Sequence, residues 1–439
     1  MRIVILGAGY SGTALALELV RSRPHLRPTL VESSARFGPG LAYGAAEERH
    51  ALNVRAGRMG AFADAPNDFA RWAIGTADDV FAPRPAYGRY LEALLEAAHE
   101  RVERVAGRAV AITPAGNEFT VRLADGRTLA ADHVVLALGN PAPARPRFAD
   151  AFGEYWVNDP WDAVARNKLA GRDGAILVLG TGLTMVDVVQ SLRAAGHRAP
   201  LIALSRRGLL PNIHRAPRAW PPFLDDMHGA PLAKIVRRVR DEVDRAATQG
   251  VDWRQVLEGA RPSVQALWRA ADPATRKRFL RWLRPYWDVH RHRLPRVPAV
   301  HVTRLRRSGV LRIEAGRIIA AERARDSVRL TVALRGGGEI EHRVAGGINC
   351  TGPDHDYARS EDPLLQQLLR DRMIACDPFG LGLVVDTAWR VVDGLGKAQP
   401  QISALGPPTR GAVWEITSVP DIREQVAELA DRLLADVPA

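Results

Sequence analysis

The stretch that decides the fold is MRIVILGAGYSG at residues 1–12. Its first half is a short apolar run rich in β-branched residues, which predicts a buried strand of a parallel sheet. An apolar helical pattern follows the glycines, and a second strand at residues 29–31 ends in Glu32. This order of strand, glycine-rich turn, helix and strand predicts a βαβ unit of the kind that binds a dinucleotide.

Each residue of the glycine loop has a separate task in such a site. Gly7 permits the tight turn from strand to helix, Gly9 lets a pyrophosphate approach the backbone, and Gly12 lets the helix pack closely on the strand. Ser11 lies inside the loop, where the N-terminus of the helix faces the phosphates. Glu32 can accept hydrogen bonds from an adenosine ribose. The alternative is a glycine-rich turn in an ordinary βαβ unit without a ligand.

A second copy of this pattern begins at residue 175, where AILVLGTGLTMVD leads from an apolar strand into a helix. Gly180 and Gly182 keep the first two positions of the fingerprint, and Thr184 lies in the first turn of the helix. Met185 replaces the third glycine. We interpret the pattern as a second nucleotide site, and the alternative is a duplicated βαβ unit that has lost its ligand.

The strand after the second loop ends in Ser205, Arg206 and Arg207, where an NAD site would carry Asp or Glu. A 2′-phosphate needs arginine at this place, because a planar guanidinium binds two of its oxygens at once. The sequence therefore predicts that the second nucleotide site prefers NADPH to NADH. The alternative is that both arginines are solvated at the end of a strand.

The length of 439 residues favours two domains, or one domain with an insertion. Two apolar strands end alike, the first at Gly139 and the second at Gly352, each with a proline close behind. This similarity suggests two crossings between a first nucleotide domain and an inserted second one. The fold class is α/β, with two Rossmann-like dinucleotide-binding domains of the glutathione-reductase type and a helical insertion. The predicted bounds are 1–165 and 346–439 for the first domain, 166–345 for the second, and about 213–308 for the insertion.

The composition is that of a soluble globular protein, with 46% hydrophobic and 25% charged residues. No apolar run approaches the ~20 residues that span a bilayer. The N-terminus enters the glycine loop directly and has no pattern of a signal peptide. We therefore expect a cytoplasmic protein without a membrane partner.

The formal net charge of +12 could indicate a nucleic-acid partner. However, the basic residues are almost all arginines spread along the whole chain, and no nucleic-acid-binding motif or basic tail accompanies them. We favour affinity for phosphate-bearing cofactors over nucleic acid.

The cysteine content argues against disulfide chemistry. The chain has two cysteines, Cys350 and Cys376, and no CxxC pair. This excludes a disulfide framework and the vicinal dithiol of the pyridine-nucleotide disulfide reductases. Structural, buried thiols are the expected role of both.

The segment from about 213 to 308 is rich in arginine, tryptophan and helical patterns. Asp272 before Pro273 predicts the start of one helix. His290 and Arg293 lie in the cluster His-Arg-His-Arg at 290–293 and are weak candidates for contacting an anion or the substrate. A solvated charged turn is an equal alternative, and a metal site is not expected because no third ligand has a suitable spacing.

The C-terminal region ends in a predicted helix whose first residue is Pro420, with Asp421 next to it. The positive end of the helix dipole lies at this N-terminus and stabilises a nearby anion. In flavoproteins with two nucleotide domains, a helix at this place points toward the edge of the flavin on which negative charge gathers.

The chain resembles the YdhS-like group of bacterial FAD/NAD(P)-binding oxidoreductases and, more distantly, flavin-containing and N-hydroxylating monooxygenases. The resemblance runs nearly end to end. The segments that carry it are LNVRAGRM at 52–59, YGRY at 87–90, GTGLTMVD at 180–187, SRRGLLP at 205–211, NCTGP at 349–353 and WEITSVPDIR at 414–423.

The resemblance implies FAD on the first glycine loop and a pyridine nucleotide on the second. Within the segment 52–59 it implies that Asn53, Arg58 and Met59 contact cofactor. Two family features are absent from the sequence. These are the Phe-x-Gly-x-x-x-His motif of typical flavin monooxygenases and the Gly-Asp pair that many flavoproteins use near the ribitol.

Together these observations predict an FAD-dependent, NADPH-using oxidoreductase that hydroxylates a small molecule at nitrogen or carbon with O2. The cofactor carries the chemistry in such enzymes, so no catalytic side chain is singled out. Two alternatives stay open. One is a flavin reductase or dehydrogenase without oxygenation, and the other is a non-catalytic FAD-holding interaction protein.

Overall fold

The structure, a computed structural model, describes residues 1–34, 36–73, 77–215 and 220–435. The chain forms two compact units. Unit 1 consists of Met1–Glu48, Val54–Pro141 and Asp354–Ala439, and unit 2 consists of Arg49–Asn53 and Ala142–Pro353. Residues 142–165 and 346–353, which the sequence-based bounds assign to the first domain, therefore lie in unit 2. The chain passes between the units directly after each of the two strands that end in glycine and proline.

The strands, in chain order, are β1 Ile3–Leu6, β2 Thr29–Glu32, β3 Glu103–Ala106, β4 Ala109–Ala115, β5 Glu118–Leu123, β6 Thr128–Ala131, β7 His133–Leu136, β8 Trp156–Val157, β9 Ile176–Leu179, β10 Leu201–Ser205, β11 Leu311–Ala324, β12 Ser327–Leu334, β13 Glu339–Val344, β14 Gly346–Asn349, β15 Arg390–Val392 and β16 Ala398–Ala404.

The α-helices are α1 Tyr10–Ser22, α2 Gly40–Gly44, α3 Asp68–Trp72, α4 Arg84–Ala97, α5 Ala163–Ala170, α6 Leu183–Ala194, α7 Leu232–Thr248, α8 Trp253–Ala270, α9 Pro273–Arg278, α10 Arg284–Arg291, α11 Arg296–Arg307, α12 Pro363–Arg370 and α13 Val419–Ala435. A π-helical turn, Phe279–Leu283, connects α9 to α10. Short 3₁₀ turns lie at Ala56–Arg58, Arg147–Tyr155, Asp225–Met227, Tyr357–Arg359 and Pro407–Thr409.

Unit 1 is built on a six-stranded sheet in the order β15-β16-β7-β1-β2-β3. All neighbours from β16 to β3 are parallel, and β15 is antiparallel to β16. Strand β1 is central and fully buried, as its unbroken apolar sequence predicts. Helices α1 and α13 pack together, and β4, β5 and β6 form a separate antiparallel sheet.

Unit 2 repeats this plan with a seven-stranded sheet in the order β13-β12-β11-β10-β9-β14-β8. The five strands from β11 to β8 are parallel. Four of them, β11, β10, β9 and β14, follow the same succession as β3, β2, β1 and β7 of unit 1, whereas the outer strand β8 precedes β9 in the chain. This is the strand order of doubly wound nucleotide-binding folds, in which the ligand lies at the carboxyl ends of the strands. The predicted α/β class with two Rossmann-like units is confirmed.

Helices α7 to α11 lie between β10 and β11 and form the insertion in unit 2. Asp272 caps α9 as the sequence predicts, because its carboxylate accepts a hydrogen bond from the Thr275 amide at 2.6 Å. The loop segment before α7 and the helices α7 and α8 share a small apolar core that includes Phe223, Val256 and Ala260. The insertion thus has its own packing in addition to the Rossmann-like sheet.

Candidate nucleotide-binding sites

The glycine loop of unit 1 requires glycine at two positions for reasons internal to the protein. Gly7 has a φ of +107°, and a Cβ atom there would lie 2.3 Å from the Ala137 carbonyl oxygen. A Cβ atom on Gly12 would lie 2.0 Å from the Gly7 carbonyl oxygen. Both clashes involve backbone that cannot move aside, so these residues let α1 pack closely behind β1.

Gly9 differs from its two neighbours. An added Cβ atom would meet only the Gly40 Cα, at 3.5 Å, which is an ordinary van der Waals contact. The fold itself therefore does not require glycine at this position. Gly9 is also the residue that precedes the first turn of α1, where the orphan amides and the positive end of the helix dipole favour an anion. This geometry fits a loop that keeps its backbone bare for a pyrophosphate.

Glu32 lies at the carboxyl end of β2, beside the same loop. Its carboxylate accepts hydrogen bonds from the amides of Ala8 and Ser34, each at 3.0 Å. These bonds hold the carboxylate oxygens next to the glycine loop, at the place where a dinucleotide-binding fold holds the ribose.

Three residues of unit 1 that the sequence analysis did not single out complete the surroundings of the loop. The Tyr10 hydroxyl lies 3.3 Å from the Ala61 carbonyl and 3.4 Å from the Val419 carbonyl. Gly406 follows β16 with a φ of +74°, and a Cβ atom there would lie 2.4 Å from the Ser11 hydroxyl. Gln425 accepts a hydrogen bond from the Gly406 amide at 2.8 Å. In the sequence, the glycine-proline run at 406–408 indicates this turn, whereas no sequence pattern indicates that Tyr10 and Gln425 lie beside the glycine loop.

The turn at residues 58–60 lies beside the start of α13. Arg58 is exposed and Met59 is buried. The buried guanidinium of Arg423 donates to the Gly60 carbonyl at 2.9 Å and to the Arg58 carbonyl at 3.4 Å. Tyr10 and Arg423 thus bring the glycine loop, this turn and the N-terminal end of α13 together within unit 1.

Helix α13 begins at Val419, one residue before the predicted first residue, Pro420. The Ser418 hydroxyl donates a short hydrogen bond to the Asp421 carboxylate, so this carboxylate is engaged in the first turn of the helix. The two side chains thus pair with each other across the first turn of α13.

Asn53 does not lie in the same unit as Arg58 and Met59. It belongs to the short segment Arg49–Asn53 of unit 2, and its carbonyl oxygen lies 3.1 Å from Nε2 of His214. A contact between Asn53 and FAD remains a prediction.

The glycine loop of unit 2 repeats the geometry of the first. Gly180 has a φ of +110°, and an added Cβ atom would lie 2.4 Å from the Cys350 carbonyl oxygen. Gly182 has no atom within 4 Å of an added Cβ and is exposed, so its backbone is open to a ligand. Met185, at the third position of the fingerprint, is fully buried in the core of unit 2, while the half-buried Thr184 precedes it. The substitution therefore affects helix packing and leaves the approach to Gly182 open.

Gly139 and Gly352 occupy equivalent positions in the two units. Gly139 lies two residues after Ala137, whose carbonyl faces Gly7. Gly352 lies two residues after Cys350, whose carbonyl faces Gly180. Their φ angles are +68° and +87°, and an added Cβ would meet nothing within 4 Å. Both are therefore required by the backbone conformation of a turn at the carboxyl end of the sheet, and they leave open space beside it.

Ser205 occupies in unit 2 the place that Glu32 occupies in unit 1. Leu6 pairs with Val31 in one sheet and Leu179 pairs with Leu204 in the other, and Glu32 and Ser205 come next. A neutral hydroxyl thus replaces a carboxylate at the end of the second strand.

The Ser205 hydroxyl organises the loop that follows it. The Thr181 hydroxyl donates to the Leu209 carbonyl at 2.6 Å, so in the 2.9 Å contact between the two hydroxyls Ser205 is the donor. Ser205 also accepts from the Gly208 amide at 3.0 Å. Of the two arginines in this loop, Arg206 is exposed, and the half-buried Arg207 places its Cζ atom 5.2 Å from the centre of the Tyr286 ring.

The two weak substrate candidates are engaged within the insertion. The buried Arg293 donates a short hydrogen bond to the Glu258 carboxylate. Nδ1 of His290 lies 2.7 Å from the Tyr286 carbonyl, and its ring packs edge-on against Trp253 at 4.9 Å. These contacts join helices of the insertion to one another. A role in substrate binding remains a prediction.

Metal and membrane features are lacking in the part of the chain that the structure describes. Over 1–34, 36–73, 77–215 and 220–435, no group of three or more His, Cys, Asp or Glu side chains could hold a metal ion. Among the helices of the same residues, none has the length and the apolar composition needed to cross a membrane.

Sequence comparison assigns the first part of the chain. Residues 4–141 match the family model described as FAD-NAD(P)-binding, so this part of the chain is an FAD/NAD(P)-binding domain. The match includes the loop Gly7–Gly12, Glu32 and Gly139. No curated protein shows significant similarity to the chain.

Solved structures with the same fold include N-hydroxylating flavoenzymes. The L-lysine 6-monooxygenase of Pseudomonas syringae is similar with a TM-score of 0.67 at 18% identity, over 99% of both chains. The ornithine N-hydroxylase of Kutzneria sp. 744, solved with reduced FAD, NADP⁺ and L-ornithine, has a TM-score of 0.65 at 16% identity, over 99% of this chain and 98% of that one. The bacillithiol disulfide reductase of Staphylococcus aureus has a TM-score of 0.59 at 11% identity, over 100% and 99%. At these identities the similarity concerns the fold.

Proposed function

We propose that this protein is an FAD-dependent, NADPH-using oxidoreductase that hydroxylates a small molecule at nitrogen or carbon. The observation that carries the proposal is the paired construction of its two glycine loops. Each loop has glycine that the fold requires and one glycine that it does not. The fold requires Gly7 and Gly12 but not Gly9 in unit 1, and it requires Gly180 but not Gly182 in unit 2. Since the fold tolerates a side chain at Gly9 and Gly182, a bound pyrophosphate that approaches the backbone explains why both positions are glycine.

The residues next to the loops support different nucleotides for the two units. In unit 1 the Glu32 carboxylate stands where a ribose hydroxyl would donate to it, which suits the adenosine of FAD. In unit 2 the same position is the neutral Ser205, followed by Arg206 and Arg207, which suits a 2′-phosphate. FAD, when bound, supplies hydride acceptance from a reduced pyridine nucleotide and electron transfer to O2.

The protein's own contribution is binding and orientation. Amides at the start of α1 and α6 would bind the pyrophosphates, and the turn at residues 58–60 with the start of α13 would support FAD in unit 1. The fold shared with the lysine and ornithine monooxygenases supports oxygenation of an amine as the reaction to test first.

The cysteines argue against the disulfide reductases that share the fold. Burial raises the pKa of the Cys350 thiol far above its usual range, and it raises the pKa of the half-buried Cys376 to about 11. Neither thiol would be an active thiolate at neutral pH.

The experiment uses the purified full-length protein. We expect the visible spectrum of oxidised flavin, bleaching on anaerobic addition of NADPH, and slower bleaching with NADH. L-ornithine, L-lysine and a panel of other small amines are then added in air, and the hydroxylated product, O2 consumption and hydrogen peroxide are measured.

The outcomes separate the candidate functions. Hydroxylated product formed in proportion to NADPH supports the proposal. NADPH oxidation that yields only peroxide across a wide substrate panel identifies a flavin reductase or oxidase. Bound flavin that NADPH does not reduce identifies a flavin-holding protein without this activity. A protein without flavin, and without affinity for added FAD, refutes the proposal.

A further inference from the structure

Arg207 is held in place by the helical insertion. It follows β10 in the Rossmann-like part of unit 2, yet its guanidinium lies over the ring of Tyr286, a residue of α10, with Cζ 5.2 Å from the ring centre. One of its terminal nitrogens also donates to the Arg281 carbonyl at 3.4 Å. The remaining N–H groups of the planar fork are available to another acceptor.

The sequence explains why this carbonyl lacks its α-helical donor. In an α-helix the Arg281 carbonyl would accept a hydrogen bond from the amide of residue 285, but Pro285 has no N–H. The proline ring would also crowd that carbonyl, and the chain instead forms the π-helical turn Phe279–Leu283, in which the Arg284 amide bonds to the Phe279 carbonyl. Arg207 donates to the carbonyl that Pro285 leaves without this donor.

Helix α10 is fixed relative to the loop that carries Arg207. The amide and the side-chain Nδ2 of Asn212 both donate to the Val289 carbonyl, at 2.9 and 3.0 Å. Asn212 follows Arg207 closely in the chain, so this anchor ties the two elements together. Tyr286 is 42% exposed and Arg207 is itself only half-buried, so the pair lies at the surface of unit 2, where a ligand can reach the guanidinium.

We propose that Tyr286 is a positioning residue for nucleotide selection. It holds the Arg207 guanidinium, together with the Arg281 carbonyl, in the orientation that receives the 2′-phosphate of the pyridine nucleotide. This inference rests on the proposed use of NADPH by unit 2 and deepens it. The insertion, on this view, is part of the nucleotide site and contributes to the preference for a 2′-phosphate.

The test measures binding and needs no turnover. Adenosine 2′,5′-bisphosphate and 5′-AMP are titrated into the full-length flavoprotein by calorimetry. The wild-type protein should bind the bisphosphate more tightly. Arg207→Ala should lower that affinity about tenfold or more. Tyr286→Ala should lower it about two- to fivefold, as expected for loss of an exposed cation–π contact, and should leave 5′-AMP binding unchanged. Tyr286→Phe keeps the ring and should retain the wild-type affinities.

The double variant decides whether Tyr286 acts through Arg207. If it does, Tyr286→Ala has no further effect in the Arg207→Ala background. Tyr155→Ala is the matched control, because it removes another ring of unit 2 that packs on an arginine, Arg172, at 3.7 Å. It should leave the binding of both probes unchanged. Thermal melting checks that every variant is folded.

Two results overturn the inference and are distinguishable from each other. If the wild-type protein prefers the bisphosphate but Tyr286→Ala binds it equally well, or loses affinity independently of Arg207, NADPH use stands and the positioning role fails. If the wild-type protein binds both probes equally, the preference for a 2′-phosphate fails, and the role of Tyr286 fails with it.

Discussion

Substitution of the glycines by alanine separates what the fold needs from what the ligand needs. In unit 2, Gly180→Ala places a methyl group 2.4 Å from the Cys350 carbonyl oxygen at a φ of +110°, whereas Gly182→Ala places it in open space. We therefore expect the first variant to lose stability, and the second to keep its stability and lose the nucleotide. Gly7→Ala and Gly9→Ala form the corresponding pair in unit 1, since Gly7 has a φ of +107° and an added Cβ atom would lie 2.3 Å from the Ala137 carbonyl oxygen.

The magnitudes follow from the geometry. A left-handed backbone conformation costs a non-glycine residue about 1–3 kcal/mol, and overpacking against immobile backbone costs about 1–3 kcal/mol more. Gly180→Ala should thus remove about 2–6 kcal/mol, a large share of the typical ~5–15 kcal/mol of a folded protein. At Gly182 the entropic gain and the poorer helix cap of alanine nearly cancel, within about 1 kcal/mol. The added methyl should weaken NADP⁺ binding by about ten- to a hundredfold, if it displaces one phosphate hydrogen bond.

The assay combines thermal melting, far-UV circular dichroism, flavin content per protein and calorimetric titration of NADP⁺. Gly9→Ala should purify folded with little flavin. Alanine is chosen because its single methyl group makes only an ordinary van der Waals contact, at 3.5 Å from the Gly40 Cα. The reasoning is refuted if Gly182→Ala melts as early as Gly180→Ala. It is also refuted if Gly182→Ala is stable and binds NADP⁺ as tightly as the wild-type protein.

Three further predictions concern the residues around the loops. Arg206→Ala/Arg207→Ala should raise the KM for NADPH by about ten- to a hundredfold and leave the KM for NADH and the flavin content nearly unchanged. If the KM rises equally for both nucleotides, the two arginines support the fold. Glu32→Ala should weaken the binding of FAD by roughly 1–3 kcal/mol, measured by flavin release on dilution. If the variant retains flavin as well as the wild-type protein does, Glu32 is not part of the site. Native protein should react slowly with iodoacetamide at pH 8, since burial keeps Cys350 and Cys376 protonated; NADPH oxidation should survive the treatment, and rapid labelling with loss of activity would contradict this.

The sequence determined the class of the fold, because local pattern carries it. Buried parallel strands need continuous apolar runs, and tight turns from strand to helix need glycine, so both βαβ units and their strand-end residues are visible in the sequence. The register confirms that Ser205 and Glu32 are equivalent, which follows from their common distance to the glycine loops. The FAD/NAD(P)-binding domain at residues 4–141 was also predictable from this pattern.

The tertiary structure alone distinguished residues that the pattern treats alike. Gly7 and Gly9 are both fingerprint glycines. The structure places the Ala137 carbonyl against Gly7, which also has a positive φ, and only the Gly40 Cα near Gly9, so the fold requires the first and not the second. Segment Arg49–Asn53 packs with unit 2, although its neighbours on both sides in the chain belong to unit 1. Arg207 is the clearest case, since its partners Arg281 and Tyr286 lie far along the chain in an insertion of different composition. Periodicity and spacing describe contacts within an element or between adjacent ones, whereas contacts between distant segments depend on how the elements pack.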